Sequence, residues 1–88
     1  MLPALMRASK VIKKTEYGQD LDNGALIAQI KMHLDQLAFA ENVQMTQIGS
    51  LLMDVTALCR AYGFDAEEAL SHATDAMIEE QAKKEQNK

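Results

Sequence analysis

The third quarter of the chain carries its strongest apolar pattern. Apolar residues recur there at spacings that return to one side of a helix: Met45, Ile48, Leu51, Leu52, Val55, Leu58, Cys59 and Tyr62. Such a repeat is typical of an amphipathic α-helix and does not fit the two-residue alternation of a strand. Gly63 follows and predicts the end of the helix, because glycine tolerates the left-handed conformation that often closes a helix. This long helix constrains what the rest of the chain can pack against.

Two more helices are predicted ahead of it. The first extends from about Leu2 to Thr15, with Pro3 in its first turn, where a missing N–H costs nothing. The second starts at a cap formed by Asp22 or Asn23 and ends near residues 39–41. Its apolar residues again follow helical spacing.

A fourth helix is predicted after Phe64. Asp65 is the expected N-cap, and Glu68 stands three residues later as its capping-box partner. Residues 83–88 are polar, so we expect a frayed tail there and place one domain at residues 1–82. With one Pro and four Gly in the whole chain, we expect an all-α bundle of four antiparallel helices, with the second and third at its centre.

Size and charge exclude several classes of protein. The chain has 88 residues and a net charge of −4, which argues against a nucleic-acid binder. No apolar run is long enough to cross a membrane, and the single Cys59 cannot form an internal disulfide, so we expect a cytoplasmic protein. A core of this size is marginal for one chain, and we therefore expect a homo-oligomer, either a dimer or a tetramer.

Two segments carry a family resemblance. One is the opening run LPALMRASK, from Leu2 to Lys10, and the other extends from Ile48 to Leu70 and includes AYGFDAEEAL. Together they resemble the C-terminal domain of MazG, a nucleoside triphosphate pyrophosphohydrolase. The resemblance implies an all-α fold, dimeric or tetrameric assembly, and Mg²⁺-dependent cleavage of a nucleoside triphosphate to a monophosphate and pyrophosphate.

The positions that match the family's metal site carry no carboxylate. The family motif has three Glu on one helix, followed by a Glu and an Asp three residues apart on the next. The matching residues here are Met32, His33, Gln36, Gln47 and Ser50. Mg²⁺ prefers carboxylate oxygens, so we expect no metal at these positions and a domain that has lost hydrolysis. Such a domain would serve as a structural, regulatory or nucleotide-sensing homologue.

Two alternatives remain open. In one, the protein is an active Mg²⁺-dependent pyrophosphohydrolase whose site is rebuilt from Asp35 and Asp54, with His33 or Glu41 nearby. Against it, we expect Asp35 and Asp54 to be solvated charges and His33 to lie on the surface or at a partner contact. In the other alternative, the protein is a helical adaptor whose methionine-rich face binds a partner protein.

A basic cluster lies on the first helix. Arg7, Lys10, Lys13 and Lys14 fall within eight residues of one another. Such clusters are usually solvated, but Arg7 and Lys10 are candidate phosphate contacts for a bound nucleotide.

Overall fold

The computed structural model describes residues 2–15, 17 and 21–86. Within them the chain forms four α-helices and no strand: α1 (Ala4–Thr15), α2 (Asn23–Ala38), α3 (Met45–Ala61) and α4 (Ala66–Gln86). The predicted all-α fold and the number of helices are therefore confirmed. No helix among these residues is both long and apolar enough to cross a membrane.

The beginnings of α2 and α3 are fixed by side chains. Of the two predicted caps, Asp22 and Asn23, the structure has Asp22, whose carboxylate accepts a hydrogen bond of 2.7 Å from the backbone N–H of Ala25. At the start of α3, the backbone N–H of Gln44 donates to the side-chain oxygen of Gln47 over 2.8 Å. These bonds satisfy N–H groups that have no partner within the helix.

Gly63 closes α3 as predicted, with a positive φ of 80°. Its N–H donates to the carbonyl of Arg60 over 2.9 Å, and the N–H of Phe64 donates to that of Cys59 over 2.8 Å. This pair of bonds is a Schellman motif, which pairs carbonyls that the helix leaves free. The turn therefore sets where Phe64 lies and where α4 begins.

The start of α4 agrees with the sequence only in part. Asp65 accepts a hydrogen bond from the backbone N–H of Glu67 over 3.1 Å. The predicted return bond from Glu68 is not formed; its carboxylate instead lies 3.9 Å from His72, one turn later on the same helix face. α4 also continues through Lys83 and Lys84, whose charges suit the negative end of the helix dipole. The last two residues of the predicted tail, 87 and 88, lie outside the described residues.

α3 occupies the centre of the fold. It packs against α1, α2 and α4, whereas α2 contacts only α3 among the described helices, so the expected central position holds for α3 and not for α2. The buried core is small and consists of Ile12, Leu26 and Ala57, with Met53 and Leu58 packed around it. Ala57 is small, which allows the residues of α1 and α2 to approach α3 closely.

Much of the predicted apolar repeat of α3 faces outward. Met45 is 89% exposed, and Ile48, Leu52, Val55 and Tyr62 are also exposed. In α4, Ala66 is buried, but every residue from 68 to 86 is exposed. One chain therefore leaves two helices with uncovered apolar side chains.

Candidate functional site

A small polar cleft lies between α2 and α3. It has a volume of about 100 Å³ and is lined by His33, Gln36, Gln47 and Ser50. These are four of the five positions that the sequence resemblance matched to the family's metal ligands. The fifth, Met32, is half-exposed and does not line the cleft.

Helical spacing explains how four separate residues meet here. His33 and Gln36 are three residues apart on α2, and Gln47 and Ser50 are three apart on α3. Residues at this spacing share one face of a helix, so each helix contributes a neighbouring pair. Gln47 is further held by its bond to Gln44 at the start of α3.

A fully buried carboxylate adjoins the cleft. Asp54 is 0% exposed and accepts bonds from three side chains. The Tyr17 hydroxyl donates to its Oδ1 over 2.6 Å, and the Gln29 amide donates to the same oxygen over 2.9 Å. His33 Nδ1 is paired with the other oxygen, Oδ2. We call Tyr17, Gln29, His33 and Asp54 the Asp54 cluster.

The cluster also changes the acidity of Tyr17. Its pKa is raised, first because the hydroxyl donates to Asp54, then because of burial and the negative charge of Asp54. A hydrogen bond with Gln29 acts in the opposite direction. The phenol therefore remains protonated at neutral pH and remains a donor to the carboxylate.

His33 belongs to both the cleft and the cluster. A carboxylate bound to one ring nitrogen fixes the orientation of an imidazole. Because Asp54 occupies Nδ1, the remaining ring nitrogen, Nε2, is the atom through which His33 can bind a ligand in the cleft. The cleft therefore offers one imidazole nitrogen, two amides and one hydroxyl.

This set of donors does not fit Mg²⁺. Hard divalent cations require several oxygen ligands, mainly carboxylates, and no carboxylate lines the cleft. Both oxygens of Asp54 are already paired within its cluster. Across residues 2–15, 17 and 21–86, no three His, Cys, Asp or Glu side chains lie close enough to share a metal ion.

The structure corrects one expectation about the site. Asp54 is not a solvated charge, because it is fully buried and paired with His33. His33 is partly exposed and lines the cleft, in keeping with the expected surface position. Asp35 is exposed, as expected of a solvated charge. One signal in the sequence pointed to burial: Asp54 lies three residues after Leu51 and four before Leu58, on a helix face shared with two partly buried leucines.

Two members of the Asp54 cluster were missed altogether. Tyr17 stands in the connection between α1 and α2, and Gln29 is a polar residue within α2. Neither has a local sequence pattern that points to Asp54, because their contacts with it span 37 and 25 residues of chain.

The two candidate phosphate contacts on α1 differ in their positions. Lys10 lines a groove between α1 and the turn that joins α3 to α4, whereas Arg7 does not. Both side chains are exposed.

No protein-family model, curated protein or solved structure matches this chain.

Proposed function

We propose that this chain is a MazG-like domain that forms a homo-oligomer and does not hydrolyse nucleoside triphosphates. It acts instead as a structural, regulatory or nucleotide-sensing homologue. The observation that carries this proposal is the cleft lined by His33, Gln36, Gln47 and Ser50, where no carboxylate is found. The family resemblance supports it by matching these same positions to metal ligands.

Loss of carboxylates is a physically consistent change in such a cleft. A group of carboxylates without a metal would repel one another, which lowers stability. Amide and hydroxyl groups remove that cost while keeping the surface polar. A domain that no longer needs the metal is therefore more stable with residues such as Gln36, Gln47 and Ser50.

The geometry weighs against an active site rebuilt from nearby acids. Asp54 would have to exchange its bonds with Tyr17, Gln29 and His33 for a metal ion. Asp35 does not line the cleft and so does not supply a second carboxylate.

Assembly with a second copy is supported by the exposed side of α3. Its apolar residues alternate at spacings of three and four, which is the pattern of a helix that packs along another helix. We call this set the α3 seam: Met45, Ile48, Leu52, Val55, Cys59 and Tyr62. The seam contains no charged residue, so two copies can face each other without repulsion, and depletion of charge is typical of interface cores.

The test of hydrolysis is a chromatographic assay for nucleoside monophosphate. Purified protein is incubated with ribo- and deoxyribonucleoside triphosphates and Mg²⁺ or Mn²⁺, with a matched EDTA control. We expect no release above the control. Metal-dependent release would contradict the proposal and favour an active, rearranged site, and Asp35 and Asp54 would then be substituted individually.

The position of the lost metal site is tested by restoring carboxylates. We expect the triple variant Gln36→Glu, Gln47→Glu, Ser50→Asp to gain a thermal shift that depends on Mg²⁺. The matched control is Gln81→Glu, Gln86→Glu, Ser71→Asp, which makes the same chemical changes on exposed α4. A variant that gains no more than this control would contradict the proposed placement.

The homo-oligomer is tested by sedimentation. We expect the protein to sediment as a dimer or tetramer and Leu52→Glu to convert it to a monomer, because a charge in an apolar interface is unfavourable. Leu34→Glu, on exposed α2, is the matched control. A wild-type monomer would contradict this part of the proposal, and a tight complex with a different protein would favour the adaptor alternative.

A further inference from the structure

A second concave surface lies at the other end of α3. This groove, which we call the α1 groove, has a volume of about 430 Å³ and separates α1 from the turn between α3 and α4. The residues that matter for its chemistry are Met6, Lys10, Lys13, Arg60, Phe64 and Asp65. Arg60 follows Ser50 by ten residues, so the groove lies about 15 Å along α3 from the polar cleft.

The α1 groove is basic although the chain is acidic. Lys10 and Lys13 are three residues apart on α1, and Arg60 faces them from the end of α3. Three cations thus meet one carboxylate, Asp65, in a protein whose net charge is −4. Clustering of cations against the overall charge is the property expected of an anion-binding surface.

Two of the charged groups are held in place by the backbone. Arg60 Nη1 donates to the carbonyl of Ser9 over 2.9 Å, which fixes the guanidinium at the groove. A guanidinium has five N–H groups, so others remain for a ligand. Asp65 accepts a bond from the Glu67 N–H at the start of α4, and this bond draws its negative charge toward the helix cap.

An apolar surface lies beside the cations. Phe64 is 65% exposed and lines the groove together with Met6. The backbone of Phe64 is fixed by its N–H bond to Cys59 and by the left-handed turn at Gly63. An aromatic ring held at such a position offers a flat face on which a planar ligand group can stack.

We infer that the α1 groove binds a nucleotide, with its phosphates on Lys10, Lys13 and Arg60 and its base against Phe64. Lysine and arginine are the usual protein partners of phosphate, and stacking on an aromatic side chain accepts any base. With Asp65 as its one carboxylate, the groove binds the nucleotide without a divalent metal. The inference rests on the proposed function, since it gives the sensing role a location and a ligand class.

The experiment is calorimetric titration of the full chain with ATP at low salt in the presence of EDTA. Pyrophosphate and adenosine are titrated separately, so that the contributions of phosphate and base are distinguished. We expect ATP to bind more tightly than either. Lys10→Glu with Lys13→Glu is expected to weaken ATP binding by about tenfold or more, since each charged hydrogen bond to phosphate contributes substantially.

Matched variants distinguish binding in the groove from nonspecific electrostatic attraction. Lys14→Glu makes the same charge change on α1 outside the groove, and Phe39→Ala removes the other, more exposed phenylalanine. We expect ATP binding to be nearly unchanged in both. Phe64→Ala is expected to lower the affinity for ATP to that for pyrophosphate.

Several outcomes would overturn the inference. These are no binding of ATP, an equal loss with Lys14→Glu, or full binding by Lys10→Glu with Lys13→Glu. If Gln47→Ala abolishes binding and the lysine variants do not, the nucleotide occupies the polar cleft instead. Each of these results is independent of the hydrolysis assay, so the groove can fail while the proposed loss of hydrolysis stands.

Discussion

The Asp54 cluster and α4 are opposite extremes of burial within one small chain. Around Asp54, side chains from α2, α3 and the connection before α2 satisfy a carboxylate that is fully removed from solvent. α4 is the longest helix, with 21 residues, yet only Ala66 in it is buried. The difference shows that burial within one chain is concentrated around the middle of α3.

The comparison also shows which side chains a single chain leaves uncovered. A buried polar network is complete within the chain, because every buried side-chain nitrogen and oxygen among the described residues has a hydrogen-bond partner. The apolar side chains of α4, by contrast, are not covered within the chain: Leu70, Met77 and Ile78 remain exposed. Substitutions in the two regions should therefore differ in how much they change the free energy of unfolding.

The largest effect is expected in the small core beside the cluster. Leu26 is 1% exposed, so Leu26→Ala removes buried methyl groups and leaves a cavity, at a cost of about 3 kcal/mol in the free energy of unfolding. Urea denaturation measures this cost. Leu34→Ala on the exposed side of α2 is the control, and an equal loss in both variants would contradict the assigned core.

The next largest effect is expected at the centre of the cluster. Asp54→Ala removes the acceptor for Tyr17, Gln29 and His33, and we expect a loss of about 2 kcal/mol in the free energy of unfolding. The expected cost of Asp35→Ala, which changes an exposed carboxylate, is under about 0.5 kcal/mol. Thermal denaturation of both variants measures the two losses of stability. Equal stability of the variants would show that the Asp54 cluster contributes nothing to the stability of the fold.

A smaller effect is expected at Tyr17. Tyr17→Phe removes the hydrogen bond to Asp54 and should cost about 1 kcal/mol near neutral pH. The folded-state pKa of Tyr17 is raised. The stability that protonated Tyr17 contributes is therefore fully present below the unfolded pKa of about 10 and is lost as pH rises through the folded value.

This pH dependence can be measured directly. Unfolding curves collected at rising alkaline pH should show a loss of stability in the wild type that is reduced in Tyr17→Phe. An absorbance titration should show that the variant lacks a tyrosine whose ionisation is displaced to higher pH. Identical alkaline behaviour of both proteins would refute the role given to Tyr17.

The smallest effect is expected on α4. Met77 is 71% exposed, so Met77→Ala should change the free energy of unfolding of the isolated chain by less than about 0.5 kcal/mol. Thermal unfolding of dilute protein measures this change. A large loss even in dilute protein would mean that Met77 is buried within a single chain, against the structure.

The sequence determined the helices, because their signals are local. The spacing of apolar residues, a cap at Asp22 or Asn23 and the glycine at Gly63 act over one or two turns, and the structure has all three signals, with the cap at Asp22. The same local reasoning placed His33 with Gln36 and Gln47 with Ser50 on common helix faces. It did not determine which sides of the helices meet.

Tertiary structure alone decided the surroundings of Asp54 and the composition of the α1 groove. An aspartate within a helix has the same local pattern whether it is solvated or buried, so only the approach of Tyr17, Gln29 and His33 distinguishes the two cases. Arg60 likewise meets Lys10 only because α3 packs against α1. Helix formation depends on neighbours a few residues apart, whereas these sites depend on contacts across tens of residues, which local spacing does not encode.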